Sequence, residues 1–147
     1  MAANTSPIYT LTPNINSVLV TAAKADSSGA GTIATDLFKA FTAGANGSFI
    51  DRVRWMPVAT TPTTMTATVG RVFISSVTSG ATTSANTYLW AEVVLPAVAA
   101  DNASTNVSPI DIAFGFYINA SYTILVANHA APAASTNWRA LVIGGDY

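Results

Sequence analysis

The stretch that most constrains this chain is residues 46–76, where a turn dipeptide precedes two strand-like segments. Asn46-Gly47 is the strongest short hairpin signal in the sequence, because both residue types tolerate the positive φ of a tight primed turn. Residues 48–59 then alternate with the two-residue period of a β-strand. The alternation predicts one face made of Phe49, Asp51, Val53 and Trp55, and an opposite face made of Ile50, Arg52, Arg54, Met56 and Val58.

A loop and a second strand complete this unit. Residues 60–64 are rich in Thr and contain Pro62, which lacks the N–H that a central strand donates to its neighbour. The chain is therefore predicted to turn there and to return as a strand over residues 66–75. We expect the two strands to pair at the centre of one sheet.

Six further segments have the composition or the alternation of strands, and turn residues separate them. They are residues 15–22, 32–43, 87–95, 110–117, 122–127 and 138–143. Residues 32–43 also fit helical spacing, but their glycine-rich flanks favour a strand. Eight short strands with long connections predict an all-β fold, an eight-stranded two-sheet sandwich that is jelly-roll-like.

An immunoglobulin-like sandwich stays open as an alternative, although the cysteine pair usual in that fold is absent. Residues 1–14 contain two prolines and one short apolar patch, so we expect an extended N-terminal arm there. Residues 15–147 are expected to form a single β-sandwich domain.

Charged residues make up only 9% of the chain, against about 25% in an ordinary soluble domain. A weakly charged surface favours association with other proteins. Because a net charge of −1 provides no long-range attraction for a polyanion, we do not expect nucleic acid as a partner. No apolar run has the length of a membrane helix, and the first residues lack the features of a signal peptide, so no membrane partner is expected. With no cysteine, the chain has neither disulfides nor thiolate metal ligands.

The sequence shows no recognisable catalytic motif. Its single histidine, His129, lies in a loop without a nucleophile motif around it, and one histidine without cysteine does not make a zinc site. A calcium ion held by Asp101 and Asn102, or a glycosidase pair of Glu92 and Asp51, has only weak support. We therefore expect no enzyme activity, no metal and no cofactor.

Arg52 and Arg54 lie two residues apart on the same strand face. They either pair with neighbouring carboxylates on a solvated face or contact carboxylates of another subunit, such as its Asp51 or Asp111. The second interpretation is preferred in a chain with so few charges. The large aromatic side chains are expected in the core or at a subunit contact rather than in a ligand site. They are Trp55, Trp90 and Trp138.

Several short segments of the sequence together resemble a known family. They are residues 4–8 (NTSPI), 41–48 (FTAGANGS), 51–54 (DRVR), 71–74 (RVFI) and 144–147 (GGDY). In these segments the chain resembles small head proteins of tailed bacteriophages and prophages, of the type that decorates or cements the capsid. The resemblance implies a β-sandwich or jelly-roll body on the outer capsid surface, usually as a homotrimer, with a terminal arm along the shell.

The resemblance also implies partners and contact residues. The partners would be further copies of this chain and the phage major capsid protein, and the location would be the virion after synthesis in the host cytoplasm. The contact residues would be Pro7, Ile8, Tyr9 and Leu11 in the arm, Asp51, Arg52 and Arg54 in a strand, and Asp146 and Tyr147 in the tail. The rival hypothesis is a phage tail or fibre module that binds a host-surface glycan through Tyr88 and Trp90.

Overall fold

The computed structural model describes residues 10–59, 64–98, 109–133 and 135–147, and these residues contain strands and no helix. The protein is all-β, as predicted. The strands are β1 (Thr12–Val20), β2 (Gly31–Thr32), β3 (Phe38–Thr42), β4 (Ser48–Ala59), β5 (Thr68–Ser75), β6 (Ala81–Thr82), β7 (Thr87–Leu95), β8 (Ile110–Ile118), β9 (Thr123–Asn128) and β10 (Thr136–Asp146). It follows that no helix in the described ranges could span a membrane.

Eight of these strands form two antiparallel four-stranded sheets. The first sheet has the order β1-β10-β4-β8 and the second has the order β3-β9-β5-β7, while β2 and β6 pair separately. Buried side chains from both sheets form one cluster between them, which gives a sandwich-like arrangement. The largest of these side chains are Trp55 on β4 and Trp138 on β10, and both are fully buried.

A smaller apolar cluster lies on the other side of the second sheet. Phe73, Leu125 and Ala127 alternate along β5 and β9 with residues of the main core, and Leu37 packs against them. The connection between β1 and β3 passes over this side. Hydrogen bonds from the buried Lys24 stabilise this connection, because its ammonium donates to the Asp26 carboxylate and to the carbonyl of Ala30.

The turn at Asn46-Gly47 has a different role from the predicted hairpin. Gly47 does adopt a positive φ of 86°, and its N–H donates to the carbonyl of Gly44 at 3.0 Å. However, β3 and β4 on either side of this turn belong to different sheets. The hairpin prediction was therefore wrong: the turn is a corner that carries the chain across the sandwich.

The expected central pair is also corrected. β4 and β5 belong to different sheets and face each other across the core, where Gly70 lies beside Trp55. The predicted limits of β4 and β7 are confirmed, whereas residues 32–43 divide into the end of β2, a turn and β3. β1 begins at Thr12, inside the range expected for the arm.

A bulge in β4 changes the predicted faces. Arg52 pairs with Ile143 and Ile50 pairs with Gly144, so Asp51 is an extra residue in the pairing with β10. As a result Ile50 is buried on the same side as Val53, although strict alternation had placed them on opposite faces.

Candidate interaction surface

The side of the first sheet that faces away from the core is the main candidate surface, and we call it the outer face. Its residues alternate with the buried Val53, Trp55, Ala140 and Val142 on the two central strands. Strand register brings three rows together on this face: Ile15, Ile143 and Arg52; Ser17, Leu141, Arg54 and Asp111; and Leu19, Arg139 and Met56.

Large apolar side chains are exposed on this sheet. Leu11, just before β1, is 72% exposed, Ile15 is 57% exposed and Met56 is 41% exposed. Exposed apolar side chains that share one sheet are candidates for contact with a partner. The sheet therefore offers apolar contact area at its β1 edge and at its centre.

The two arginines predicted as contact residues are paired within the chain. Arg54 donates from Nε and Nη2 to the two carboxylate oxygens of Asp111, at 2.7 and 2.8 Å. Arg52 donates from Nε to Asp51 Oδ2 at 2.6 Å and from Nη1 to Asp111 Oδ2 at 3.4 Å. The hydrogen bond from Arg54 lowers the pKa of Asp111, with its positive charge adding to the effect.

These four side chains therefore form the solvated, internally paired arrangement that the sequence left open. Their location on an exposed face is still compatible with a partner above them, because each remains partly accessible. The assignment of Asp51, Arg52 and Arg54 to a subunit contact stays a prediction.

Arg139 is a functional candidate that no sequence pattern identified. It is exposed between Leu19 on β1 and Met56 on β4, and it makes no ion pair within the described parts of the chain. Three guanidinium groups thus share the outer face with two carboxylates. Only the strand register places Arg139 beside Met56, and the residues next to it in the chain carry no such information.

The predicted C-terminal contact residues, Asp146 and Tyr147, make hydrogen bonds to residues of the same chain. Asp146 accepts hydrogen bonds from Asn14 Nδ2, at 2.9 Å to each carboxylate oxygen, and a short one from Ser48 Oγ. The N–H of Tyr147 donates to the carbonyl of Gly47 at 3.2 Å. Asp146 therefore ties β1 to the start of β4.

Leu11 is the one predicted arm contact that lies within the described residues. It donates its N–H to the carbonyl of Asp146 at 2.8 Å, which anchors the start of β1 to the end of β10. Pro7, Ile8 and Tyr9 lie outside the described residues. Asp101 and Asn102, weak candidates for calcium, lie outside them as well.

A second candidate surface lies where β7 and β8, the edge strands of the two sheets, come together. Trp90 is 45% exposed and packs on Phe116 and Phe114, with ring centroids 4.5 and 5.3 Å away. Tyr88 is also exposed, and desolvation together with the nearby Tyr122 raises its pKa. We call these residues the aromatic edge: Tyr88, Trp90, Phe114 and Phe116.

Trp90 occupies this position because it is an extra residue in β7. Phe73 pairs with Leu89 and Val72 pairs with Ala91, so Trp90 has no partner opposite on β5. Leu89 consequently packs against the smaller apolar cluster around Phe73, whereas Ala91 packs on the main core. The alternation of side chains along β7 is interrupted at this bulge.

The candidate catalytic groups are held in structural contacts. Nδ1 of His129 is 3.2 Å from Arg71 Nη2, and because arginine only donates, this nitrogen is the acceptor. Glu92 accepts from Arg71 Nε at 2.7 Å, and Asp51 lies on the other sheet. In the residues described, no three His, Cys, Asp or Glu side chains come together as a metal site would require.

Comparison of the chain with protein-family models, with curated proteins and with solved structures gives no match in any of the three.

Proposed function

We propose that this protein is a structural virion protein that decorates and cements a phage capsid by bridging neighbouring capsomers. The observation that carries the proposal is the outer face, where the exposed Ile15 and Met56 share the sheet with Arg139, a cation without an ion pair among the described residues. Methionine and arginine are both enriched at protein interfaces. The low charge of the chain supports a life spent packed against neighbours.

The proposed fold is a jelly roll, and the pairing of the eight long strands supports it. β1 pairs with β10, β3 with β9, β4 with β8 and β5 with β7, which is a nested series from the chain ends inward. A long antiparallel hairpin rolled into two sheets produces this series. Jelly rolls occur in viral capsid proteins and in lectins, so the fold is compatible with cementing and with glycan binding alike.

The proposed mechanism involves no turnover. A protein that binds the assembled shell but not its dissociated parts shifts the equilibrium toward the shell by mass action. Many copies, each contacting neighbouring capsomers, make modest individual contacts sufficient. We propose homotrimers on the outer capsid surface, with the major capsid protein as partner.

The first test is the copy number of this chain in purified virions of the phage or induced prophage that encodes it. Quantitative mass spectrometry against the major capsid protein should give a ratio near one to one. A few copies per particle would instead indicate a tail or portal location, and complete absence from virions would refute the proposal.

The second test compares two exposed aliphatic residues on edge strands. Ile15→Asp on β1 places a charge on the outer face, whereas Val94→Asp on β7 places the same charge on the second sheet. We expect the first variant to lose binding to capsid shells lacking this protein, and the second to retain it. Equal binding by both folded variants would exclude the outer face as the contact.

The second candidate function, glycan binding by a tail or fibre module, is favoured by the aromatic edge alone. Trp90 is the half-exposed tryptophan, while Trp55 and Trp138 are buried, so a change in fluorescence on adding sugar would report on Trp90. Titration with bacterial surface glycans tests this function. Saturable quenching that disappears in Trp90→Phe would favour it over cementing.

A further inference from the structure

One end of the sandwich contains a small cavity of mixed polar and apolar lining, beside the start of the loop after β9. The centre of a water molecule can occupy about 10 Å³ of this cavity, which is room for a single water molecule. Its lining includes Asn128 at the end of β9, Trp138 on β10, Met65, and the threonines Thr68 and Thr136. This region takes no part in the outer face or in the aromatic edge.

Asn128 is the unusual residue in this lining. Its side chain is fully buried, and neither its amide nitrogen nor its amide oxygen has a hydrogen-bond partner among the described residues. Burying an amide without partners is costly, and buried polar side chains in native proteins are nearly always satisfied. An apolar residue would serve better here if the cavity stayed dry.

Trp138 adds a third polar atom. Its indole Nε1 is buried and likewise finds no partner in the part of the chain that the structure describes, and the residue lines the same cavity. Together with the Asn128 amide, the cavity wall therefore offers two N–H donor groups and one carbonyl acceptor. A water molecule both donates and accepts hydrogen bonds, so it matches this neutral set of donors and acceptor.

The threonines hold the loop over the cavity instead of occupying it. Thr136 Oγ1 donates to the carbonyl of Ala133 at 2.9 Å, and Thr68 Oγ1 accepts from the N–H of Ala130 at 3.0 Å. Both hydroxyls are thus engaged with the loop backbone. Asn128 and Trp138, which line the same cavity, carry the buried polar atoms that have no partner among the described residues.

We propose that this cavity is a binding site for one internal water molecule, which accepts a hydrogen bond from Trp138 Nε1 and donates one to Asn128 Oδ1. The water would connect the end of β9 in the second sheet to β10 in the first. Its role is independent of the capsid proposal, because it concerns the isolated chain.

Trp55 supplies an internal control for the test. Its indole Nε1 is equally buried and has no partner within the described ranges, but Trp55 does not line the cavity. In ¹⁵N-labelled protein, we expect the Trp138 indole proton to show a water cross-peak with the sign of a long-lived bound molecule. The Trp55 indole proton should show none.

Asn128→Leu removes the amide NH2 and carbonyl while keeping the number of side-chain heavy atoms and their branching, and we expect the Trp138 cross-peak to disappear in this variant. The wild-type comparison decides the question even if the variant fails to fold. The proposal is overturned by a missing cross-peak at Trp138 or by equal cross-peaks at both tryptophans. It is also overturned by a crystal structure in which the Asn128 amide bonds to protein groups only.

Discussion

Gly70 on β5 lies against the indole of Trp55 on β4, so that a Cβ added to Gly70 would be 3.1 Å from Trp55 Cε2. The same Cβ would be 2.9 Å from Leu95 Cδ1 on β7. A methyl group at residue 70 would therefore fit between the sheets only if the side chains of Leu95 and Trp55 shifted. The absence of a side chain at residue 70 is what lets a fully buried tryptophan fit between the sheets.

We expect Gly70→Ala to destabilise the isolated domain by about 1–3 kcal/mol, the usual cost of overpacking a core. Denaturant unfolding measures the free energy change. Leu95→Val, which shortens the nearer side chain, should recover part of the loss, and a double-mutant cycle isolates this coupling. Unchanged stability in Gly70→Ala would mean that the sheets separate more easily than the packing indicates.

The corner at Gly47 allows a comparison of two glycines. Gly47 and Gly80 both have positive φ, at 86° and 77°, but a Cβ on Gly47 would overlap the ring of Tyr117, whereas no described atom lies within 4 Å of one on Gly80. Gly80→Ala should cost about 1–2 kcal/mol from backbone strain alone. Gly47→Ala should cost more, because it also displaces Tyr117.

Thermal or chemical unfolding of the two variants measures this difference. Displacement of Tyr117 should also remove its hydrogen bond to the carbonyl of Asn46 and its contact with Tyr147, whose ring centroid is 5.6 Å away. Altered NMR shifts of the Tyr147 ring would report the displacement. Equal costs in the two variants would show that Tyr117 moves aside freely.

The strands were largely predictable because their signals are local. The alternation of β4 and β7 and the residues that punctuate their ends are all present within each segment. Pairing was not predictable in the same way. An Asn-Gly turn favours a hairpin locally but also fits a corner, and the choice depends on which distant strands, here β9 and β10, lie beside β3 and β4.

The candidate surface shows the same difference between local features, which the sequence predicts, and long-range contacts, which it does not. Arg52 and Arg54 were identified from their spacing, but Asp111 was named only as a carboxylate of a neighbouring subunit, whereas it pairs with both arginines within the same chain. Arg139 was overlooked because its neighbours on the outer face come from β1 and β4. The extra residues Asp51 and Trp90 follow from register shifts between strands, and no local pattern marks them.

The pairing of Asp111 with Arg54 predicts a dependence of stability on pH. The pKa of Asp111 is lowered in the folded protein, first by the hydrogen bond from Arg54, so protonation favours the unfolded chain. The stabilising contribution is complete above the unfolded-state pKa of about 3.9 and is lost as the pH falls through the lower folded-state value.

We therefore expect Asp111→Asn to be less stable than the wild type at neutral pH, with the difference in melting temperature shrinking as the pH falls below about 4. Melting curves across this range measure the effect. The same substitution in an Arg54→Met background serves as the control, and its pH-dependent difference should be smaller. A difference that is constant with pH would show that the pair contributes nothing through ionisation.

Asp146 distinguishes an internal role from a contact role. Its carboxylate accepts from Asn14 and from Ser48, and the Ser48 side chain is fully buried. Asp146→Ala leaves these donors without their partner, so we expect the isolated chain to lose about 1–3 kcal/mol of unfolding free energy. In a Ser48→Ala background, Asp146→Ala should cost much less unfolding free energy, because the alanine side chain has no hydroxyl that needs the carboxylate as an acceptor. If Asp146→Ala instead keeps full stability and loses only shell binding, Asp146 belongs to the subunit contact that the sequence resemblance implied.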